Sequence, residues 1–273
     1  MWRRTPGVAG AFYPSDAVKL RSDIETYIEN VKNDEKLDNL TAIIAPHAGY
    51  VYSGQVAAYS YAQLKDSGYE LAVVLAPSHR ARFDGASVIP EGIYETPLGD
   101  VQVDDEVGNR LVKMPGFGFI KEVHQYEHSL EVQVPFLQVV SEDIKIVPII
   151  IGCTDLDTCR SIGETLAEIL ENEKRKWVVV ISTDLSHYHS YDEAQSIDSA
   201  FIDALTTFDE KSLYSILQSD KAQACGEGPV LSGMIASHQL GASEVKVLKY
   251  ANSGDSAGPR DQVVGYLSAA FVK

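Results

Sequence analysis

Residues 40–50 read LTAIIAPHAGY and residues 71–80 read LAVVLAPSHR. Each is an unbroken apolar run of strand length, closed by a proline, with His47 or His79 immediately beyond. A strand that is apolar at every position has no solvent face, so both runs read as central strands of a sheet covered on both sides. Residues 177–189, WVVVISTDLSHYH, repeat the pattern and deliver Asp184, His187 and His189 after the apolar run. Further strand-length runs occur at Ile144 to Ile151, Val245 to Tyr250 and Val263 to Phe271. Between them lie stretches with helical periodicity, at Ser15 to Lys32, Gly54 to Lys65, Asp104 to Lys113, Glu127 to Val140, Asp155 to Glu171, Glu193 to Thr206, Lys211 to Gln218 and Pro229 to Gln239. This alternation predicts an α/β fold with a mixed sheet flanked by helices on both faces. Ser87 to Ile89 and Ile93 to Glu95, separated by Pro90-Glu91-Gly92, predict a small hairpin outside the main sheet. No repeat and no Gly/Ser/Pro linker divides the chain, so residues 1–273 are expected to form one domain.

Composition narrows the function classes. The 273 residues are 45% hydrophobic and 23% charged, which suits an ordinary packed core rather than disorder. A formal net charge of −16 repels phosphate backbones and anionic lipid, which argues against a nucleic-acid partner. No apolar run approaches the ~20 residues that span a bilayer, which argues against membrane insertion. Arg3 and Arg4 are not followed by the long apolar segment of an export signal. Cys153, Cys159 and Cys225 are too few, and odd in number, for a disulfide framework; a reducing cytoplasm is the expected compartment.

In open α/β sheets ligands bind beyond the carboxyl ends of the strands, where loops converge on a crevice. Four of the seven histidines, His47, His79, His187 and His189, follow three separate apolar strands, and a common site for the first three is the expected consequence. Imidazole ligates iron, copper and zinc, and a ligating ring needs its second nitrogen held by a carboxylate or carbonyl. Asp184 is the sequence candidate for that carboxylate. Cys225 lies in Ala224-Cys225-Gly226-Glu227-Gly228-Pro229, just before a helix, and reads equally as a further ligand or as a small buried residue. Cys159 falls within a helical stretch and reads as packing, whereas Cys153 after the Ile144 to Ile151 run is ambiguous. His128 at a helix start reads as an acid/base residue of the site or as a cap. His124 and His238 read as structural.

Taken in order, several segments resemble the Memo family across almost the whole chain. They are Pro6 to Pro14 (PGVAGAFYP), Ala45 to Tyr50 (APHAGY), Ala76 to His79 (APSH), His128 to Phe136 (HSLEVQVPF), Ser182 to His187 (STDLSH), Ala224 to Gly226 (ACG) and Asp261 to Tyr266 (DQVVGY). The resemblance implies a fold like that of the extradiol ring-cleaving dioxygenases, which use non-haem iron. It also implies two histidines and a cysteine as metal ligands, carried here by His47, His79 and Cys225. His128, Asp184 and His187 match the polar residues of the same pocket and are the candidate catalytic groups. A thiolate in place of the dioxygenases' glutamate shifts preference toward copper(I), iron or zinc and exposes sulfur to oxidation, so ring cleavage is not carried over. Glu227, two residues past Cys225, is the alternative carboxylate ligand.

The expected cofactor is therefore iron(II) or copper, with zinc the redox-inert alternative, and the expected activity is oxidation or reduction of a small molecule. Two other readings share the pocket: a non-catalytic protein that carries metal or binds a peptide, and a zinc hydrolase. The resemblance also implies a functional link to radical-SAM-type proteins.

Overall fold

The computed structural model describes residues 2–32 and 36–273. β1 (Trp2–Arg4) and α1 (Ala17–Glu29) precede β2 (Leu40–Ala45), α2 (Tyr50–Leu64) and β3 (Leu71–Pro77). Next come β4 (Ala86–Val88), β5 (Gly92–Thr96), β6 (Gly99–Val103), α3 (Asp105–Leu111), β7 (Phe117–Gly118), α4 (Lys121–Gln125), α5 (His128–Glu131), α6 (Val134–Val140) and β8 (Lys145–Ile151). The remainder is α7 (Leu156–Glu171), β9 (Trp177–Ser182), β10 (His187–His189), α8 (Tyr191–Thr206), α9 (Glu210–Gln218), α10 (Glu227–Gln239), β11 (Glu244–Asn252), α11 (Ser253–Ser256) and β12 (Val263–Val272).

The sheet runs β1-β5-β6-β8-β3-β9-β2-β12-β10. At its centre β8, β3, β9 and β2 are parallel, and β12 pairs antiparallel with β2. Side chains on these strands alternate between two cores, as the pleat requires. Ile44, Val73, Leu75, Val179 and Ile181 face one core with residues of α7 and α10. Ile43, Ala45, Val74, Val178 and Val180 face the other with residues of α1, α2 and α6. Every residue of β2 and β3 is buried, which is why their sequences carry no polar alternation.

The covering helices follow from their own patterns. In α7, Asp155 caps the first turn by accepting from the Thr158 N–H, and Cys159, Ile162, Gly163, Leu166 and Leu170 form one buried stripe. Gly163 permits close packing on α10, since a Cβ there would lie 2.6 Å from the Ser232 carbonyl oxygen.

Two local expectations are corrected. The single helix expected over Glu127 to Val140 is two, because Pro135 has no N–H to continue a helix and is accommodated in the first turn of α6 instead. The expected hairpin across Pro90-Glu91-Gly92 does not form. β5 pairs with β6 around Pro97-Leu98, whereas β4 pairs with β8 and β7, and all of these strands join the main sheet. Gly92, at φ 150°, makes this possible: β1 lies so close that a Cβ would be 2.4 Å from the Trp2 carbonyl oxygen. His187 to His189 forms a short strand on β12, with Tyr188 held at φ 63°. Among the described residues no helix is long and apolar enough to cross a membrane.

Candidate metal centre

β2 and β3 lie on either side of β9, so the loops leaving their carboxyl ends meet above the end of β9. His47 and His79 stand on those loops, and α5 brings His128 against both. The ring centroids are 5.2 Å apart for His47 and His79, 5.5 Å for His47 and His128, and 4.7 Å for His79 and His128, the last pair stacked. One potential ligand atom from each of the three lies within 4.8 Å of the others. His47, His79, His128, His187 and Asp184 line a cavity of about 570 Å³ whose other walls include Phe12, Tyr52, Tyr188 and Tyr266.

Hydrogen bonds decide which nitrogen each ring presents. Ser182 Oγ has one hydrogen, and it is donated to the Ser129 carbonyl at 2.7 Å. The same oxygen accepts from Gln133 Nε2 at 2.8 Å, with that amide oriented by the Pro46 carbonyl and by the Tyr61 hydroxyl. Ser182 can therefore only accept from His47 Nδ1, 2.9 Å away, which leaves the lone pair on Nε2. His187 Nδ1 lies 2.7 Å from the Leu185 carbonyl and must likewise donate. His79 Nδ1 lies 2.9 Å from Glu127 Oε1, so its Nε2 is the free nitrogen. Three rings are thus locked as Nε2 donors of electron density, the form that ligates a metal.

Glu127 is the carboxylate that organises this side of the site, and the sequence reading passed over it. Its side chain is fully buried; Oε2 accepts the His79 backbone N–H at 2.7 Å and Oε1 the Ser129 N–H at 3.0 Å, with His128 Nδ1 3.3 Å away. Burial would raise its pKa, but the bonds from His79 and Ser129 prevail and hold it down to about 2. Burial lowers His128 to about 4 despite the attraction of Glu127, and burial lowers His47 and His187 as well. Burial thus favours the neutral form of His47, His128 and His187. An acidic residue at a helix start beside a histidine was the available signal for Glu127, masked by its resemblance to an ordinary cap.

Asp184 occupies the cavity wall but does not hold a ring by its Nδ1. Its Oδ1 accepts the His47 backbone N–H at 2.8 Å, and its Oδ2 stands 3.8 Å from His47 Nε2. The ring-holding task expected of it falls to Ser182, Glu127 and the Leu185 carbonyl, because the Asp184 backbone turns its carboxylate toward the start of the His47 loop. Burial raises its pKa to about 7, against the hydrogen bonds from the His47 and Ala48 backbone. Cys225 Sγ is 3.0 Å from His47 Nε2 and accepts the Asp184 N–H at 3.2 Å. Burial raises its thiol, with Asp184 adding to the effect. The three-histidine grouping does not include Cys225. Glu227 does not line the cavity. His189 pairs with Gln223 and Glu193, buried His124 meets Ser87, and His238 packs on Phe208, all away from the cluster.

A family model described as Memo-like protein matches residues 4–270. The chain belongs to the Memo family. It is 39% identical to a MEMO1 family protein of Methanopyrus kandleri over 98% of both chains. It is 38% identical to one of Methanothermobacter thermautotrophicus, covering 96% of this chain and 98% of that one. A crystal structure of an uncharacterized protein from Escherichia coli K12 shares the fold at a TM-score of 0.55 and 17% identity, covering 85% of this chain and all of that one. The fold class expected from the Memo resemblance, an extradiol-dioxygenase-like mixed sheet with helices on both faces, is the one this chain adopts.

The donor set of this Memo-family site, imidazoles with a thiol beside them, suits a borderline or soft transition metal. Because Glu127 holds His79 and approaches His128, Glu127→Gln should weaken metal retention by about 10- to 100-fold without unfolding the protein. Competition with a chelator measures this; an unchanged affinity would remove Glu127 from the site's support.

Proposed function

We propose that the chain is a metal-dependent oxidoreductase that holds iron(II) or copper on His47, His79 and Cys225 and acts on a small molecule in the histidine-lined cavity. The observation that carries this reading is the 3.0 Å approach of Cys225 Sγ to His47 Nε2, the nitrogen whose lone pair is free. Two donors bound to one ion at about 2.1 and 2.3 Å stand roughly 3 to 3.6 Å apart, so this pair is spaced as neighbouring ligands. A bound redox metal would supply electron transfer to or from the substrate.

The chain's own groups account for the rest. His128 and His187 direct Nδ1 at protein acceptors, which leaves Nε2 of each as the position that can take a proton. Asp184, titrating near neutrality, can hold or release one beside them. The aromatic walls from Phe12, Tyr52, Tyr188 and Tyr266 favour a substrate with an apolar face. A second reading has a specific observation behind it: the mutual 4.8 Å grouping of His47, His79 and His128 would hold zinc on three imidazoles, as in a hydrolase or a metal carrier.

Metal analysis of protein isolated without oxygen from its native host tests the proposal. Iron or copper at near one per chain is expected, with weak or self-inactivating cleavage of a catechol panel once oxygen is admitted, because the thiolate is itself oxidisable. Zinc alone would overturn the redox reading, and sustained catechol cleavage with Cys225 unmodified would replace it with a plain dioxygenase.

A further inference from the structure

At the opposite edge of the sheet from the histidines, where β2, β3 and β9 begin and β12 ends, a separate cavity of about 520 Å³ opens. It shares no residue with the histidine cavity. Its charge runs against that of the molecule. The chain has 39 acidic and 23 basic residues, yet this wall carries Lys36, Lys65, Lys176, Lys273 and Arg175 against Asp38 and Asp66. Arg175 is already neutralised by Asp104 and Glu173. Among the described residues none of the four lysines forms an ion pair; the lysines that do, Lys19, Lys145 and Lys246, lie elsewhere.

Two of the four are nevertheless held in place. Lys36 Nζ donates to the Ala62 and Lys65 carbonyls at the end of α2, at 2.6 and 2.7 Å. Lys176 Nζ donates to the Ser67 carbonyl at 2.7 Å and lies 4.5 Å from the centre of the Tyr69 ring. These acceptors carry no net charge, so they orient the ammonium groups without cancelling them, and each ammonium keeps an N–H to spare. Burial lowers the Lys36 ammonium, opposed by Asp66, and repulsion from Lys65 and Lys176 adds to the lowering. Tethered as they are, Lys36 and Lys176 cannot swing apart to relax that repulsion. The Nζ atoms of Lys65 and Lys273 have no hydrogen-bond partner among the described residues and are free to turn inward.

We propose that this cavity binds a small molecule bearing two or more linked phosphate groups. The four unpaired lysines exceed the two aspartates by two charges, which calls for a polyanion, and phosphate oxygens accept strongly from ammonium groups. The volume suits a compact ligand, and the half-buried Trp177 offers it an aromatic wall. An extended polyanion such as nucleic acid is disfavoured by the negative charge of the rest of the chain.

The test uses the full chain, stripped of metal with a chelator and dialysed, so that the histidine site takes no part. Trp2→Phe leaves Trp177 as the one tryptophan. At an ionic strength of about 0.01 M, inorganic pyrophosphate and triphosphate should change its fluorescence with one-to-one saturation, triphosphate the more tightly and sulfate far more weakly. Raising the ionic strength to about 0.15 M shortens the screening length from about 30 to 8 Å and should weaken binding severalfold. Lys65→Gln and Lys273→Gln should each weaken triphosphate binding about tenfold. Asp66→Asn should tighten it, since asparagine tolerates the left-handed backbone, φ 58°, at that position. Lys113→Gln makes the same charge change at an exposed lysine outside the cavity and should alter the affinity less than about twofold. Calorimetry on the same samples reads binding independently of the tryptophan. No saturable binding by either method, an unchanged affinity in both Lys65→Gln and Lys273→Gln, or an equal loss in Lys113→Gln would overturn the proposal. None of these outcomes depends on whether metal binds at His47 and His79.

Discussion

Replacing His47 or His79 with alanine should cut the iron or copper bound per chain to near zero while the fold persists. The two losses should differ in their side effects. His47→Ala removes one neutral hydrogen bond to Ser182, worth about 0.5–1.5 kcal/mol. His79→Ala takes a partner from the fully buried Glu127 carboxylate, which keeps the His79 and Ser129 backbone N–H groups but loses its ring contact; about 1–3 kcal/mol is expected. Metal content by mass spectrometry, beside thermal unfolding of each apo variant, separates coordination from stability. The same measurement on Cys225→Ala and His128→Ala identifies the third ligand: the variant that loses metal names it. Full metal occupancy in both His47→Ala and His79→Ala would sink the metal centre altogether.

The largest effect on stability should come from Glu131→Ala, at a position far less conspicuous in the sequence. Arg4 and Glu131 are an ion pair with both side chains almost completely buried. Glu131 also accepts the Gly7 N–H at 2.9 Å, the Val8 N–H at 3.0 Å and the Tyr13 hydroxyl. Arg4 is further held by the carbonyls of His124, at 3.2 Å, and Glu127, at 2.9 Å. Removing the carboxylate strands the buried Arg4 guanidinium and the buried Tyr13 hydroxyl away from water, which costs about 3–5 kcal/mol. For a chain of this size that corresponds to a fall in melting temperature of about 5–10 °C. The double variant Arg4→Met, Glu131→Leu should recover part of the loss, because no charge is then left unpaired. A loss no greater than that of a surface substitution would show that the pair is not buried as described. Activity should suffer too, since the segment clamped by Glu131 carries Phe12, whose ring packs 4.9 Å from that of His128.

The strands that form the sheet centre were legible because burial on both faces leaves no choice but unbroken apolar sequence, and the histidines were legible because they follow those strands directly. His47 and His79 meet for that reason. Glu127 and Ser182 were not legible: a helix-start acid and a strand-end serine are common, and their roles come from distances across the fold that no local pattern encodes. The same limit explains the misplaced hairpin. Pro90-Glu91-Gly92 has good turn chemistry, but tertiary pairing with β1 and β6 claims the strand on one side of it and β8 and β7 the strand on the other. Asp184 was legible as a site residue, yet which atom it would bond depended on the path of the chain beyond β9.

β2, the strand that delivers His47, is enclosed by partners from distant parts of the chain: Ile44 stands opposite Ile181 on one side and Ala269 on the other. Neither neighbour exists while the ribosome is still making the first half of the protein. Contacts so remote in sequence close late and slowly, because the loop entropy is lost before any contact repays it. His47 is therefore among the last groups to acquire its final position during biosynthesis, and a nascent chain would have to wait for its closing strand before it could retain an ion.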